Sequence, residues 1–260
     1  MIPRSVIQSW AVERAWPTLH AVEQDLVLAR LIIEVAEHPL LRDELVFRGG
    51  TCLHQLIMDR PRRYSEDLDY VRATHSGIGP IFDAVREIAA NIGLDVASTR
   101  IGEHPKVLLR TASETDPSVS LKIKVEINTH ETSPALPPLR LPFEVETEWF
   151  NGRAEVKTFA PEELIATKIR ALHQRKKGRD LFDIWLALTE LGLAGDNIVA
   201  AFPPYRPAGI TAALSETNLR EKLNDGAFRN DLNTLVTEWP ESYDIDDAAE
   251  LIIAEVLSKI

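Results

Sequence analysis

The sequence has little cysteine and no long apolar stretch. Its 260 residues include one cysteine, Cys52, so no disulfide can form within the chain. No segment approaches the roughly 18 consecutive apolar residues that a membrane span needs. The opening residues, MIPRSVIQSWAVERAW, lack the apolar core of a secretory signal. These absences argue against a disulfide-stapled or membrane-spanning protein, and we expect a cytoplasmic one that binds no membrane.

Positive charge is also scarce overall, but one segment is rich in it. The 29 lysines and arginines are outnumbered by 40 acidic residues, which gives a net charge of −11. Such a field repels nucleic acid, so any RNA binding must come from a local patch. Residues 164–179 contain no acid and six basic residues, namely Lys168, Arg170, Arg175, Lys176, Lys177 and Arg179. The patch is either an RNA contact or an ordinary solvated helix face.

The hydrophobic pattern predicts a mixed α/β region followed by helices. Apolar residues at helical spacing predict helices at 19–37, 80–91, 161–177, 179–190 and 246–259. Alternation and flanking turn residues predict strands at 45–47, 64–71, 94–100, 106–112, 119–128 and 142–149. Four prolines predict a loop at 131–142. We expect an α+β fold, with a mixed sheet flanked by helices over 1–159 and a helical lobe over 160–260.

Two aspartates lie two residues apart in a predicted strand. Residues two apart face the same side of a strand, so Ser65, Asp67 and Asp69 are predicted to share one face while Leu68 points into the core. Two neighbouring carboxylates repel each other unless a cation lies between them, and hard oxygen ligands suit Mg²⁺. The pattern predicts a metal site, although exposed acidic pairs are commoner.

A second strand offers a third carboxylate. The segment LKIKVEIN (121–128) alternates without interruption, and Lys122, Lys124, Glu126 and Asn128 form its polar face. A solvated antiparallel strand has the same pattern. The functional alternative is that Glu126 lies beside Asp67 and Asp69 and supplies a third metal ligand.

A glycine turn precedes a predicted helix. Gly49-Gly50-Thr51 follows the strand at 45–47, and glycines permit close approach of backbone to a phosphate. Thr51 offers a hydroxyl donor. The segment is no Walker A motif, since the lysine of that motif is absent.

The last candidate site residues are Lys168, within the basic segment, and two aspartates of the next predicted helix. Lys168 interrupts an apolar helix stripe, so its ammonium either reaches an anion or extends to solvent. Arg175 is predicted on the same face. In the next helix Asp180 and Asp183 flank an apolar stripe, where both can point into a cleft, although Arg179 and Asp183 can also form a local pair.

In this order, the segments resemble the AbiEii/AbiGii (MenT-like) nucleotidyltransferase toxins of the DNA polymerase beta-like nucleotidyltransferase superfamily. The matching stretches are FRGGTCLHQL (47–56), RYSEDLDY (63–70), KVEIN (124–128) and KIRALHQRKKGRDLFDIWLAL (168–188). Two positions depart from the usual pattern: Thr51 replaces a serine, and Glu126 stands in place of an aspartate.

The resemblance implies a Mg²⁺-dependent transfer of a nucleoside monophosphate from an NTP, with release of pyrophosphate. The implied acceptor is RNA, the tRNA 3′ end in particular, whose modification stops translation. Such toxins are encoded beside an antitoxin, in toxin–antitoxin or abortive-infection (phage-defence) pairs.

The residue patterns and the family resemblance together imply a role for each candidate residue. Asp67 and Asp69 bind Mg²⁺ with Glu126, and Gly49, Gly50, Thr51 and Ser65 bind the nucleotide. Lys168 neutralises triphosphate charge, and Asp180 and Asp183 orient Lys168 or the acceptor hydroxyl. Arg170, Arg175, Lys176 and Lys177 guide the RNA backbone. Two alternatives stay open: transfer to a small acceptor such as an antibiotic, and a non-catalytic module that binds RNA or a partner.

Overall fold

The computed structural model describes residues 2–74, 77–102, 104–131 and 133–260. The chain divides into two compact units. The first comprises Met1–Thr132 and Pro138–Phe159, and the second comprises Ser133–Pro137 and Ala160–Ile260. Within the described ranges, no helix combines the length and hydropathy that a membrane crossing requires.

The first unit is built on a mixed seven-stranded sheet. Its strands are β1 (Leu45–Arg48), β2 (Asp67–Arg72), β3 (Asp95–Arg100), β4 (Lys106–Ala112), β5 (Ser120–Asn128), β6 (Leu139–Glu146) and β7 (Asn151–Thr158). The spatial order is β3-β4-β5-β2-β1-β7-β6. β2 pairs parallel with β5 and β1 pairs parallel with β7, while the other neighbours are antiparallel. The sheet therefore places β1, β2 and β5 side by side at its centre.

Helices of the first unit pack on this sheet. They are α1 (Arg4–Glu13), α2 (Leu19–Glu37), α3 (Leu41–Glu44), α4 (Gly49–Cys52), which continues as a π-helix over Leu53–Ile57, and α5 (Ile78–Asn91). α2 has the predicted bounds, and the Thr18 hydroxyl caps it by accepting from Ala21 N at 3.2 Å. Since α2 contacts β7, β6, β5 and β2, most of its surface is buried.

The edge of the sheet differs from the sequence prediction in two ways. Pro142 lies within β6, opposite Glu155, although the prolines predicted a loop over 131–142. β6 is an edge strand, where a residue without an amide hydrogen can face outward without breaking a ladder bond. β7 was not predicted. It returns from β6 through a turn in which Thr147 N donates to Phe150 O at 2.9 Å.

The second unit is helical. Its helices are α6 (Pro161–Gln174), α7 (Gly178–Thr189), α8 (Gly195–Ala200), α9 (Ala212–Leu223), α10 (Gly226–Arg229) and α11 (Ile245–Glu255), with short 3₁₀ turns at Pro203–Tyr205 and Leu257–Lys259. α6 and α7 pack against each other, and α11 packs on α7. The buried faces of these helices form the core of the unit.

α6 is shorter than predicted. It ends at Gln174 instead of 177, and Arg175 has extended backbone angles. The Lys222 ammonium caps the helix end by donating to the carbonyls of Leu172 and His173. Because Arg175 lies beyond the last turn, the predicted shared face of Lys168 and Arg175 is wrong.

Candidate active site

The two β2 aspartates share one face of the sheet. Asp67 and Asp69 are half-buried, and Leu68 between them is fully buried on the opposite face. The strand begins at Asp67, so Ser65 lies outside it and does not share that face by strand alternation as predicted. The two carboxylates therefore project from consecutive same-face positions of a central strand.

The glycine turn lies directly against these carboxylates. Gly49 has a φ of +85°, and a Cβ built on it would lie 2.4 Å from Asp69 Oδ2. A Cβ on Gly50 would lie 2.4 Å from Nη2 of Arg63, whose guanidinium is buried. Left-handed backbone and the contact with Asp69 explain the glycine at position 49, and the crowding against Arg63 explains the one at position 50. The turn thus brings backbone amides beside Asp69.

Thr51 holds the turn to β2. Its side chain is 1% exposed, and its hydroxyl donates to the carbonyl oxygen of Asp67 at 2.5 Å. The Ser65 hydroxyl oxygen lies 2.9 Å away. A hydroxyl has one proton, and in this structure the β2 backbone accepts it, so donation from Thr51 to a phosphate stays a prediction. Thr51 fixes the position of Asp67.

β5 brings Glu126 next to the aspartates. In the parallel register, Asp67 lies opposite Lys124 and Asp69 lies opposite Glu126. The Lys124 ammonium lies 3.0 Å from Asp67 Oδ2 and 3.3 Å from Glu126 Oε2. Three carboxylates and one ammonium thus occupy one patch of the sheet.

Burial and crowding shift the titration of these carboxylates. Burial raises the pKa of Asp69, and the charges of Asp67 and Glu126 raise it further, while Arg48 and Lys124 oppose the rise. Burial also raises the pKa of Asp67, against the lowering effect of Lys124. Negative charge here is costly without a cation beside it.

Arg48 is the second cation near the aspartates. It lies opposite Asp69 in the antiparallel pairing of β1 with β2. Its guanidinium also forms an ion pair with Glu131. The sequence pattern predicted no role at the site for Arg48 or Lys124. The alternation of 121–128 offered the signal for Lys124, since it placed Lys124 on the face of Glu126.

The carboxylates of Asp67, Asp69 and Glu126 are chemically suited to bind a divalent cation. In this structure, two of them, Asp67 and Glu126, contact the ammonium of Lys124. Among the residues with described positions, no three His, Cys, Asp or Glu side chains surround a common point. Asp67 and Glu126 already hold one cationic group between them. Carboxylate oxygens that bind a cation in this way are the ligand type that Mg²⁺ prefers.

In the second unit, Lys168 is buried in an ion pair. It is 5% exposed, and its ammonium lies 2.8 Å from Asp183 Oδ2 and 3.6 Å from Asp180 Oδ1. Both aspartates are fully buried. The anion that Lys168 reaches is therefore a carboxylate of α7, and the alternative of an ammonium extending to solvent is wrong.

The basic segment is largely paired with acidic side chains. Arg175 donates to both Asp180 oxygens, at 2.6 and 2.7 Å. Lys176 lies 3.2 Å from Asp225, and Lys177 lies 3.3 Å from Asp231. The remaining members are Arg179, which donates to Asp231 in a bidentate pair, and Arg170, which lies 5.9 Å from the ring centroid of Tyr205. The positive field is much weaker than a count over 164–179 predicts.

Glu163, in the first turn of α6, is a further buried carboxylate. It accepts from Ala135 N at 2.6 Å, Leu136 N at 3.0 Å and the Tyr205 hydroxyl at 2.6 Å. Charged acceptors form the stronger hydrogen bonds. Glu163 therefore ties the Ser133–Pro137 segment to the helices of the second unit.

Comparison with known proteins connects this geometry to one family. Residues 30–250 match the family described as "Nucleotidyl transferase AbiEii toxin, Type IV TA system". No curated protein matches the chain. Among solved structures, similarity extends to MenT4, a nucleotidyltransferase toxin from Mycobacterium tuberculosis, at 19% identity and a TM-score of 0.52, covering 97% of this chain and 99% of that one.

A second solved structure supports the same fold. JHP933 from Helicobacter pylori is 18% identical with a TM-score of 0.56, and the alignment covers 93% of each chain. At such identity the likeness concerns the fold. The predicted α+β class with a nucleotidyltransferase-like sheet is confirmed.

Proposed function

The chain belongs to the AbiEii family of nucleotidyltransferase toxins, and from this premise we propose that it transfers a nucleoside monophosphate from an NTP to RNA, with the tRNA 3′ end as acceptor. Membership confirms the resemblance seen in the sequence. It also makes the protein a nucleotidyltransferase. The family implies an NTP substrate and a cognate antitoxin.

The observation that carries the proposal is the patch formed by β1, β2 and β5. Asp67, Asp69 and Glu126 lie on neighbouring strands, and the Gly49–Gly50 turn lies against Asp69. The first amides of a helix have no partner within the helix, so those that follow the turn are suited to phosphate oxygens. Carboxylates beside phosphate-binding amides are what transfer from a triphosphate requires.

Mg²⁺ is the proposed cofactor, held by Asp67 and Asp69 with Glu126 as the third carboxylate. When bound, the ion supplies neutralisation of triphosphate charge and polarisation of an attacking hydroxyl. The chain's own part is to hold the ligands: Thr51 fixes Asp67 through its carbonyl oxygen, and Gly49 leaves room for Asp69. Ser65, next to the Thr51 hydroxyl, is proposed to bind nucleotide.

The second unit contributes a buried charged group to the proposal. Asp183 and Asp180 orient Lys168 through contacts of 2.8 and 3.6 Å. The proposed role of Lys168 in neutralising triphosphate requires its ammonium to exchange a carboxylate for a phosphate. Orientation of the acceptor hydroxyl by Asp180 or Asp183 is the alternative use of the same residues.

RNA is the proposed acceptor because exposed basic side chains follow α6. Arg175, Lys176 and Lys177 are each at least half exposed although they are ion-paired. Arg170 completes the proposed contact. Modification of a tRNA 3′ end would block aminoacylation and thereby translation, and the site of action would be the cytoplasm.

The proposal is tested with labelled nucleotides. Purified protein is incubated with Mg²⁺, total tRNA and each α-³²P-labelled NTP in turn. We expect label on tRNA from the wild type and none from Asp69→Ala. Asp95→Ala is the matched control, because Asp95 is an exposed aspartate on β3. Label that persists in Asp69→Ala would contradict the assignment of Asp69.

A small acceptor is the second candidate function, and the paired state of the basic segment favours it. Residues 164–179 carry partners for most of their positive charge, which lowers the attraction to a polyanion. The same assay distinguishes the two acceptors. Label that appears on a small cationic compound, and not on tRNA, would support this candidate and leave the transfer chemistry in place.

A further inference from the structure

Lys124 contacts two of the three carboxylates that are proposed to hold the metal ion. Its ammonium bridges two strands, at 3.0 Å from Asp67 on β2 and 3.3 Å from Glu126 on β5. Each of these carboxylates is also proposed to bind the divalent cation. The same oxygens are therefore offered to two different cations.

The carboxylate patch requires a cation in the absence of metal. Asp69 and Glu126 lie directly opposite each other in the parallel register, and like charges at opposed positions destabilise a sheet. Arg48 lies opposite Asp69 on the other side of β2. Lys124, on β5, contacts Asp67 and Glu126. It therefore offsets the repulsion between these two carboxylates, whereas Arg48 lies opposite Asp69.

The ammonium is also free to leave. The Lys124 side chain is 32% exposed, and a lysine has a long stem with many rotamers. Exposed ion pairs are worth little individually, so a divalent ion with several carboxylate ligands can displace the ammonium. We propose that Lys124 is a built-in counter-cation, a positioning residue that holds Asp67 and Glu126 in place and competes with the divalent cation for them. This inference rests on the proposed function, because it assumes the metal site.

The competition predicts that removal of the ammonium tightens metal binding. Mn²⁺ affinity is measured by the loss of the free-ion paramagnetic resonance signal in wild type, Lys124→Met, Lys124→Arg and Lys122→Met. Lys122 is the matched control, since it is an exposed lysine two residues away on the same face of β5. We expect Lys124→Met to bind Mn²⁺ roughly 5-fold more tightly, and the other two variants to bind within about 2-fold of wild type.

Thermal unfolding gives a readout that does not depend on activity. In EDTA, Lys124→Met is expected to melt roughly 2–4 °C below Lys122→Met, because Asp67 and Glu126 then repel each other. Saturating Mn²⁺ is expected to remove that difference. If Lys124→Met is too unstable to titrate, Lys124→Gln, which removes the charge and retains a polar side chain, takes its place.

The outcomes separate this inference from the proposed function. Unchanged or weaker Mn²⁺ binding by Lys124→Met, with binding by the wild type, would overturn the counter-cation role and leave the metal site standing. An equal melting temperature of Lys124→Met and Lys122→Met in EDTA would overturn it as well. Absence of Mn²⁺ binding by wild type and Lys124→Met alike would overturn both the inference and the proposed metal site.

Discussion

Gly49 and Asp69 are in contact across the boundary between β1 and β2. The distance from a Cβ built on Gly49 to Asp69 Oδ2 would be 2.4 Å, well inside van der Waals contact. The side chain of Asp69 therefore occupies the volume that any other residue at position 49 would fill. A glycine in the turn is a condition for placing this carboxylate.

Substitution of that glycine is expected to lower activity strongly. In Gly49→Ala the methyl group displaces Asp69, and displacement of a reacting group by about 1 Å can cost roughly 100-fold in rate. The measurement is nucleotidyl transfer per folded protein, with folding checked by circular dichroism. Gly93→Ala is the control, since Gly93 has a φ of +78° and an open space around its Cβ position.

Comparison of the two glycine variants distinguishes the effect of backbone strain from the effect of the collision with Asp69. Both introduce a left-handed alanine, which costs about 1–2 kcal/mol. Only Gly49→Ala also collides with Asp69. Equal activity of the two variants would show that the contact with Asp69 has no role in the reaction.

The buried pair of Lys168 and Asp183 is expected to matter for stability. Lys168→Met removes the ammonium that lies 2.8 Å from the buried Asp183 carboxylate, and the loss of one member of a buried ion pair costs about 3–5 kcal/mol. The double variant Lys168→Met, Asp183→Leu removes both charges and should recover most of that loss. Unfolding in urea measures both effects.

Activity of the double variant tests the proposed role of Lys168. A recovered free energy of unfolding together with absent nucleotidyl transfer supports participation of Lys168 or Asp183 in the reaction. Full nucleotidyl transfer by the folded double variant would show that the pair of Lys168 and Asp183 has a structural role only.

The carboxylate of Asp231 is expected to make the free energy of unfolding depend on pH in the acid range. Burial alone would raise its pKa, but hydrogen bonds from Arg179 and Lys177 lower the pKa of Asp231 to about 2 from an ordinary 3.8. A lowered pKa stabilises the folded state above 3.8, and that contribution is lost as pH falls from 3.8 to 2. Asp231→Asn should lower the free energy of unfolding by about 1–2 kcal/mol at pH 7.

The difference between wild type and Asp231→Asn should vanish near pH 2. The measurement is urea unfolding at a series of pH values from neutrality downward. A difference that stays constant over this range would contradict an ionic origin, since the loss would then come from packing.

RNA binding through the exposed lysines would be visible in its salt dependence. Each phosphate contact that is lost reduces the slope of log affinity against log salt by about 1. Lys176→Ala should therefore bind tRNA with a shallower slope. Lys259→Ala is the matched control, because Lys259 is an ion-paired lysine of the second unit, 3.0 Å from Asp196. Identical slopes for both variants would favour the small-acceptor candidate.

The sequence predicts those helices and strands whose residues follow a local hydrophobic period. α2 follows from apolar spacing alone, and the alternation of 121–128 identified β5 and the face that carries Glu126. β6 was predicted only from residue 142 onward, because Pro142 reads locally as a loop signal and becomes acceptable only at a sheet edge, which is a property of topology.

The charge of the basic segment also depends on distant residues. Asp225 and Asp231, which pair with Lys176 and Lys177, come from 191–245, where no motif is visible. Likewise, only the fold shows that the Thr51 hydroxyl serves the β2 backbone. Contacts between residues far apart in sequence set the electrostatics of the site, and spacing alone does not encode them.

The path of the chain limits how the protein can be divided. Ser133–Pro137 belongs to the second unit although residues on both sides of it belong to the first. Glu163 binds the amides of Ala135 and Leu136 within that segment. A fragment that starts at Ala160 would leave this carboxylate buried without two of its donors, so gene fusions and split versions of the toxin must carry the short segment along with the helices.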